Sequence, residues 1–542
     1  MASKHLLGDA LKLIRNGLSG ALVLALLGVV AGPVPARAQT SADTACAGLT
    51  APGQFPDTMV ASAKMVPADA TRKLPAFCEV SAMIRPEPGS NIGVVFRLPE
   101  GWNGKFFGIG GGGFIGNLTI QGAAPGLAKG YATAGTDTGH PSTVATDGDF
   151  LLDRPGHVNP IAVADFGYRS IHLMTTVGKS VANTYYGRPV TKAYYHGCST
   201  GGRQGLAEVQ RYPDDYDGVI AGAPVYDLRV QTSALFRIQA FHQDPASTLT
   251  AAQVGIINTA VLAACDEADG LKDGIINNPM ACAWDPAALR CKAGERGAQC
   301  LTPAQVKAVR VSYSGVKSKG GAVAAWPLAR GGEMDWIDRS IGGQPTNRYG
   351  TNHTLGARYL FFLLYGDPDK AWMNLTPDQV MGDLANSQVI KAFSANNPDI
   401  SKFVRKGGKL LLYHGSYDPG PSPVGTIAYL DQARAVTAAK LGVPVTALDN
   451  DVRLFMATGV YHCRGGPGPD QFDLLSAMES WVEQGEAPER IVATKANSPI
   501  SRPMCVWPAV PRYKGVGDPN AEASFVCVAP ATPKTVSAKV PA

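Results

Sequence analysis

The sequence predicts an α/β fold in which a mainly parallel sheet is interrupted by one large insertion. Three observations carry this. Short apolar strands alternate with helix-spaced runs from Cys78 to Pro224. A glycine-serine turn, Gly197-x-Ser199-x-Gly201, sits where a strand-like stretch meets a helix-like one. The alternation then fades over residues 226–395 and resumes at Gly408. The sheet domain is therefore expected over 39–225 and 396–542, with 226–395 inserted as a lid over one face. A chain of 542 residues is long for a single core, and 45% hydrophobic against 17% charged residues describes a packed globular protein.

Residues 1–38 read as a secretory signal. Lys4, Lys12 and Arg15 form a positive start, Gly17 to Gly32 is uncharged and mostly apolar, and Ala36-Arg37-Ala38 supplies a small-x-small site cut after Ala38. The apolar run is shorter than the roughly 20 residues of a bilayer span, so no stable membrane insertion is expected. Removing Lys4, Lys12, Arg15, Arg37 and Asp9 with the leader takes the net charge from +5 to +2. No basic tract remains, which argues against nucleic acid as a partner. The expected location is secreted or periplasmic. Ten cysteines, all beyond the leader, suit that oxidising destination. Pairing neighbours in order would join Cys46 to Cys78, Cys265 to Cys282, Cys291 to Cys300 and Cys505 to Cys527. Cys198 and Cys463 are left for each other.

Residues 39–75, rich in Ala, Thr, Pro and Ser, read as an irregular lead-in held by the first cysteine pair. Asn91 to Pro99 and Lys105 to Ile109 read as strands around the turn Gly101-Trp102-Asn103-Gly104. The second runs straight into Gly110-Gly111-Gly112-Gly113. Tyr131 to Ala134 is strand-like, Phe166 to Tyr186 has helix spacing, and Tyr216 to Pro224 is a buried strand. In the insertion, Arg358 to Tyr365 reads mainly as a buried helix, with one or two nearby side chains free to wall an aromatic pocket. Beyond it come the strand Gly408 to Gly415, the helix-like run Thr426 to Leu441 and the strand Val452 to Met456.

A serine on a tight strand-to-helix turn is a nucleophile elbow only if a base and an acid join it. Asp418 follows the strand ending at Gly415, and His462 follows the next strand. The order Ser199, Asp418, His462 is that of α/β hydrolases, with all three at strand ends on one face. His196 and His414, within or at the tip of strands, suit packing or a supporting role around the site better. Asp449 and Asp451 precede their strand and suit a turn. Cys198 adjoins the candidate nucleophile and Cys463 the candidate base, so a bridge between them would hold the two groups together across the chain. Backbone donors for a developing oxyanion are expected from Thr200 and from the glycine loop, with Gly113 the choice there. The loop lacks the context of a phosphate-binding or dinucleotide-binding motif, and no organic cofactor is expected.

These residues resemble the tannase and feruloyl esterase family: Gly197-Cys198-Ser199-x-Gly201-Gly202-Arg203, Asp418, and His462-Cys463 followed by Gly465-Gly466-Pro467-Gly468. The likeness runs through nearly all of the chain beyond the leader, to Arg512-Tyr513-Lys514-Gly515-x-Gly517-Asp518. It implies an α/β-hydrolase sheet with a large lid, and hydrolysis of hydroxycinnamoyl or galloyl esters through an acyl-enzyme on Ser199. A small aromatic ester is then the expected partner. Relatives that hydrolyse a terephthalate monoester clamp its carboxylate with a lid arginine. The equivalent position here falls near Thr351, so the clamp looks absent, although Arg348 and Arg358 are close by. A non-catalytic binding protein that keeps the fold is the alternative of another class, and a serine peptidase would share the triad.

Asp266, Asp269 and Asp273 share a glycine-bent loop between two cysteines, a set of oxygen ligands that suits a hard cation. The spacing departs from an EF-hand. The resemblance favours Ca2+, with the carbonyls of Leu271 and Ile275 completing the shell. Its distance in sequence from Ser199 and His462 points to a structural role.

Overall fold

A computed structural model describes residues 41–295, 297–343 and 348–530, so the proposed leader lies outside the described residues. Nine strands form the central sheet: β1 (Thr58–Val66), β2 (Phe77–Ile84), β3 (Ile92–Pro99), β4 (Lys105–Ile109), β5 (Ala132–Thr136), β6 (Lys192–Cys198), β7 (Gly218–Gly222), β8 (Lys409–Gly415) and β9 (Val452–Ala457). Their spatial order is β1-β2-β3-β5-β4-β6-β7-β8-β9. The first three strands pair antiparallel, and β3 is antiparallel to β5. From β5 onward every pairing is parallel.

The parallel strands are covered on both faces, which is why β5, β7 and β9 are buried at every position. Side chains on successive residues enter different cores, as the two-residue period of a strand requires. Phe106, Tyr195, Val219, Leu410 and Leu454 pack with Ile171, Met174 and Val181 of the helix Ser170–Tyr186 and with Ile427 and Leu430 of the helix Pro423–Leu441. Phe107, Tyr194, Ile220, Leu411 and Phe455 pack on the other face with Met478 and Trp481 of the helix Leu474–Gln484.

The lead-in departs from expectation. Residues 42–48 are helical, and Thr58–Val66 is a nine-residue strand. Its sequence, TMVASAKMV, shows no clean apolar alternation because β1 is an edge strand. Among the described residues it pairs only with β2, with a register shift between Val60 and Ser62. The Cys46–Cys78 bond does tie this region down.

Between β7 and β8 the chain leaves the sheet. It is largely helical there, with a two-strand ribbon at Val316–Lys317 and Val323–Ala325. It builds its own apolar core around Leu235, Leu360, Phe361 and Leu363, into which Phe114, Leu151 and Phe166 from the sheet side also insert. The loops that matter for chemistry all leave the carboxyl ends of parallel strands: Gly110 after β4, Ser199 after β6, Asp418 after β8 and His462 after β9.

Candidate active site

Ser199 lies between β6 and the helix Thr200–Arg211 at φ 63° and ψ −119°, a region that costs a non-glycine residue strain energy. The surroundings hold it there. Its amide donates to the Gly222 carbonyl at 2.9 Å, and its own carbonyl accepts from the amides of Arg203 at 3.1 Å and Val225 at 3.2 Å. Both flanking glycines are required by space. A Cβ on Gly197 would sit 2.6 Å from the Gly201 carbonyl, and one on Gly202 would sit 2.3 Å from the Gly222 oxygen.

Asp418 is buried and accepts three hydrogen bonds: His462 Nδ1 at 2.7 Å, the Gly420 amide at 2.8 Å and His414 Nε2 at 3.2 Å. Burial by itself pushes this carboxyl up. The charge of His462 and the bonds from both histidines outweigh it and hold Asp418 well below the usual carboxylate range. His414 Nε2 faces a second acceptor, the Pro421 carbonyl at 3.0 Å, so that nitrogen carries the proton. Its Nδ1 accepts from the Thr426 hydroxyl at 2.8 Å. His414 is therefore committed to holding the acid. With Nδ1 of His462 engaged by Asp418, its Nε2 is the nitrogen left to exchange a proton.

The rival acids lie elsewhere, whereas His196 lines the same cleft as Ser199 and His462. Asp451 pairs with Lys409 at 2.7 Å and Asp449 pairs with Arg434, both at the amino end of β9. His196 meets the Tyr413 hydroxyl at 3.3 Å, and burial pushes its pKa down to about 4, which keeps the ring neutral.

All five expected disulfides are present: Cys46–Cys78, Cys198–Cys463, Cys265–Cys282, Cys291–Cys300 and Cys505–Cys527. The Cys198–Cys463 bond spans 265 residues of sequence and sets its Cα atoms 6.1 Å apart. Ser199 and His462 are the chain neighbours of those two cysteines, and both line one cleft of about 670 Å³. Gly110 to Gly113 and Thr200 line it too. Thr200 Oγ1 donates to the Gly113 carbonyl at 2.8 Å, so the two segments expected to supply oxyanion donors are tied to each other beside Ser199. Gly113 has a positive φ of 57°.

This arrangement offers a serine, a carboxylate-oriented imidazole and two backbone segments on one wall, the parts of an acyl-transfer site. The tannase and feruloyl esterase family model matches residues 78–528. The chain belongs to that family. It is a carboxylic ester hydrolase that acts on small-molecule esters. It is 32% identical over 533 residues to mono(2-hydroxyethyl) terephthalate hydrolase of Piscinibacter sakaiensis, covering 84% of this chain and 85% of that one. It is 31% identical over 439 residues to probable feruloyl esterase B-2 of Aspergillus flavus, covering 77% and 80%. Feruloyl esterase B from Aspergillus oryzae superposes with a TM-score of 0.78 at 29% identity, covering 90% of this chain and all of that one.

Two buried arginines of this esterase shape the site, and only one of them, Arg203, belongs to the sequence motif. Arg237, fully buried in the helix Arg229–His242 of the insertion, donates to the carbonyls of Pro419 at 2.8 Å and Gly420 at 2.9 Å, and to that of Trp326 at 3.1 Å. It thus clamps the loop that carries Asp418. Arg203 does the same for the nucleophile helix, reaching the Phe166 carbonyl at 3.0 Å and the Gly167 carbonyl while lying over the Phe393 ring. Arg237 could not be told from a surface arginine in the sequence, and Arg203 stood in the glycine-serine motif without its clamping role being legible.

Arg339 and Arg464 line the cleft, and among the described residues its wall holds no carboxylate. Arg348 and Arg358 do not line it: the first lies over Tyr349, and the second faces Asp369 at 3.9 Å and the Phe362 ring. Thr351 does line it. Most of the helix Arg358–Tyr365 is core, but Tyr359 reaches the cleft with its ring stacked on Phe114 at 4.2 Å.

The acidic loop sits closer to the chemistry than its sequence position suggests. The Ile276 amide donates to the Tyr417 hydroxyl at 2.6 Å, one residue before Asp418. Oxygen donors are plentiful there. Burial first, then the neighbouring carboxylates, pushes Asp269 up to about 6 against the pull of its backbone hydrogen bonds, and Asp266 is raised as well. Asp266 Oδ1 and Asn277 Oδ1 are buried with no hydrogen-bond partner. The three aspartates are partly drawn apart: Asp273 pairs with Arg502, and Asp269 accepts from the Asn277 amide at 2.9 Å. The loop offers orphaned oxygen acceptors of the kind a hard cation seeks, but the carboxylates of Asp266, Asp269 and Asp273 do not all lie within 4.8 Å of one another.

Proposed function

We propose that the chain is an exported serine esterase of phenolic-acid esters. Ser199 Oγ attacks the ester carbonyl and passes its proton to His462 Nε2, while Asp418 holds the other ring nitrogen and steadies the imidazolium. The amides of Gly113 and Thr200 receive the oxyanion. Collapse expels the alcohol, which takes the proton from His462. Water, activated by the same ring, then releases the acid from the acyl-enzyme. The observation that carries this reading is the Cys198–Cys463 bond, which joins the residues beside Ser199 and His462 at the mouth of one cleft.

Residues 226–395 act as the lid in this reading, since they supply the cleft wall opposite the sheet. Ca2+ would be held by Asp266, Asp269 and Asp273 with the carbonyls of Leu271 and Ile275, neutralising the loop that braces Tyr417. Five disulfides support export, and among the described residues no helix is long and apolar enough to cross a membrane.

The test is a substrate panel of methyl ferulate, methyl gallate, chlorogenate, a terephthalate monoester and a short peptide amide. Turnover of the phenolic esters above the others is expected. Turnover of the peptide alone would overturn the assignment. The terephthalate monoester reading is favoured by one observation, the two arginines on a cleft wall without carboxylates. Preference for the monoester, lost on Arg339→Gln or Arg464→Gln, would establish it instead.

A further inference from the structure

Outside the catalytic cleft, one mixed set of nitrogen and oxygen ligand atoms is gathered among the described residues. His172, Glu208 and Asp215 each bring one such atom, and the three lie within 4.8 Å of one another. They come from three segments. His172 belongs to the helix Ser170–Tyr186, Glu208 to the last turn of the helix Thr200–Arg211, and Asp215 to the loop that leads into β7. Backbone bonds fix that loop: the Tyr212 amide donates to the Glu208 carbonyl at 2.9 Å, and the Asp215 amide to the Tyr212 carbonyl at 3.0 Å. The His172 ring stacks on Tyr212 at 3.9 Å, and its Nδ1 meets Asp215 Oδ2 at 2.6 Å. None of the three residues lines the cleft that holds Ser199.

Glu208 is the group that needs a partner. It is 1% exposed, and both of its carboxylate oxygens are buried without a hydrogen bond. A buried carboxylate is paired, protonated or bound to a metal. Asp215 faces Glu208 and adds to the negative charge. Lys179 reaches this corner, but its ammonium donates to the Asp215 backbone carbonyl and lies over the Tyr216 ring at 5.8 Å. A proton shared by the two carboxylates would relieve the charge, yet it would give only one of the two orphaned Glu208 oxygens a partner. A cation held among the three side chains serves both. The donors select its class: an imidazole nitrogen with two carboxylates suits a first-row divalent ion such as Zn2+, whereas Ca2+ and Mg2+ take oxygen ligands. The His172 side chain, 29% exposed, leaves a way in from solvent. The site also sits at the carboxyl end of the nucleophile helix, where the helix dipole favours positive charge.

We propose that His172, Glu208 and Asp215 form a binding site for a first-row divalent metal ion of the Zn2+ class, which pins the end of the nucleophile helix to the helix Ser170–Tyr186 and to the loop before β7. Its role is structural, since about 14 Å of helix separates Glu208 from Ser199. The site is separate from the acidic loop of the insertion, and it does not depend on the ester-hydrolase reading of the cleft.

The experiment strips the purified protein with EDTA, returns it to excess Ca2+ so that the acidic loop does not enter the comparison, and then titrates Zn2+. Binding is read by calorimetry and by metal analysis after gel filtration, and stability by Tm. The wild-type protein should retain one zinc ion per chain, and Zn2+ at about a hundred times its Kd should raise Tm by about 2–5 °C. His172→Ala, at a partly exposed position, should weaken zinc binding at least about tenfold and remove most of the Tm rise. Glu208→Gln, which imitates the protonated acid, should also lose the zinc response. No retained zinc and no Tm rise in the wild-type protein would overturn the site. So would a zinc response in His172→Ala equal to that of the wild type. A Glu208→Gln protein as stable as the wild type, with zinc inert in both, would identify a shared proton as the occupant instead.

Discussion

In the proposed mechanism Asp418 orients the base, and its environment says how each change should register. Three hydrogen bonds hold it ionised, and only the one from His462 bears on the moving proton. Asp418→Asn should keep the fold and lose about 10⁴ in kcat, since the amide would present the wrong tautomer to His462. His414→Phe removes one supporting bond and should cost only about tenfold, read in kcat at unchanged KM. His196 gives a test in stability. Its folded pKa is lowered from 6.5 to about 4, so the unfolded chain binds more protons between those values. Stability must then fall as pH drops from about 6.5 to about 4 and level off below. His196→Phe should flatten that slope by roughly 1–3 kcal/mol, measured by denaturant unfolding at several pH values.

At the scale of elements, the catalytic turns are set by backbone space as much as by side chains. Gly197→Ala would drive a methyl group into the Gly201 backbone, and soluble expression or melting temperature should drop accordingly. Arg237→Met strips three carbonyls of a charged donor and should destabilise the fold by about 3 kcal/mol, with kcat falling because the Asp418 loop loosens. The elements that the sequence made legible were those with one strong period. The buried parallel strands β4, β7, β8 and β9 are short apolar runs, and each ended within a residue or two of its expected limit. β1 was not legible, because an edge strand with one partner needs no apolar face and TMVASAKMV shows none. Helical backbone begins at Pro160, six residues before the spacing suggested, and passes through a wider π-type turn at residues 165–169 into the helix Ser170–Tyr186.

At the scale of the whole molecule, distant segments are brought to one cleft, and a covalent bond records the meeting. The pairing of Asp418 with His462 and the five disulfides could be read from the sequence because cysteines and motif glycines have few ways to be satisfied. The clamps by Arg237 and Arg203, the cleft arginines Arg339 and Arg464, and the contact between the acidic loop and Tyr417 could not. Each is an ordinary residue whose meaning arises only when chains far apart in sequence touch. That contact also revises the distance argument: a loop some 150 positions before Asp418 presses on the residue beside it. Chelation with EGTA should therefore lower the melting temperature by about 3–8 °C and lower kcat with it, both restored by Ca2+. Replacing Cys198 and Cys463 by serine releases a 265-residue loop, which the chain-entropy model values at about 5.6 kcal/mol. Activity should fall more in this pair than in any other paired cysteine replacement.

One measurement reaches the central claim that nucleophile and base are covalently tied neighbours. The folded protein is labelled with an aryl fluorophosphonate, digested with trypsin without reduction and mapped by mass. The account predicts that the fragment Ala193–Arg203 carries the label on Ser199 and remains joined through Cys198–Cys463 to the fragment Leu454–Arg464, which contains His462. A label on another residue, or the two fragments recovered apart, would contradict it.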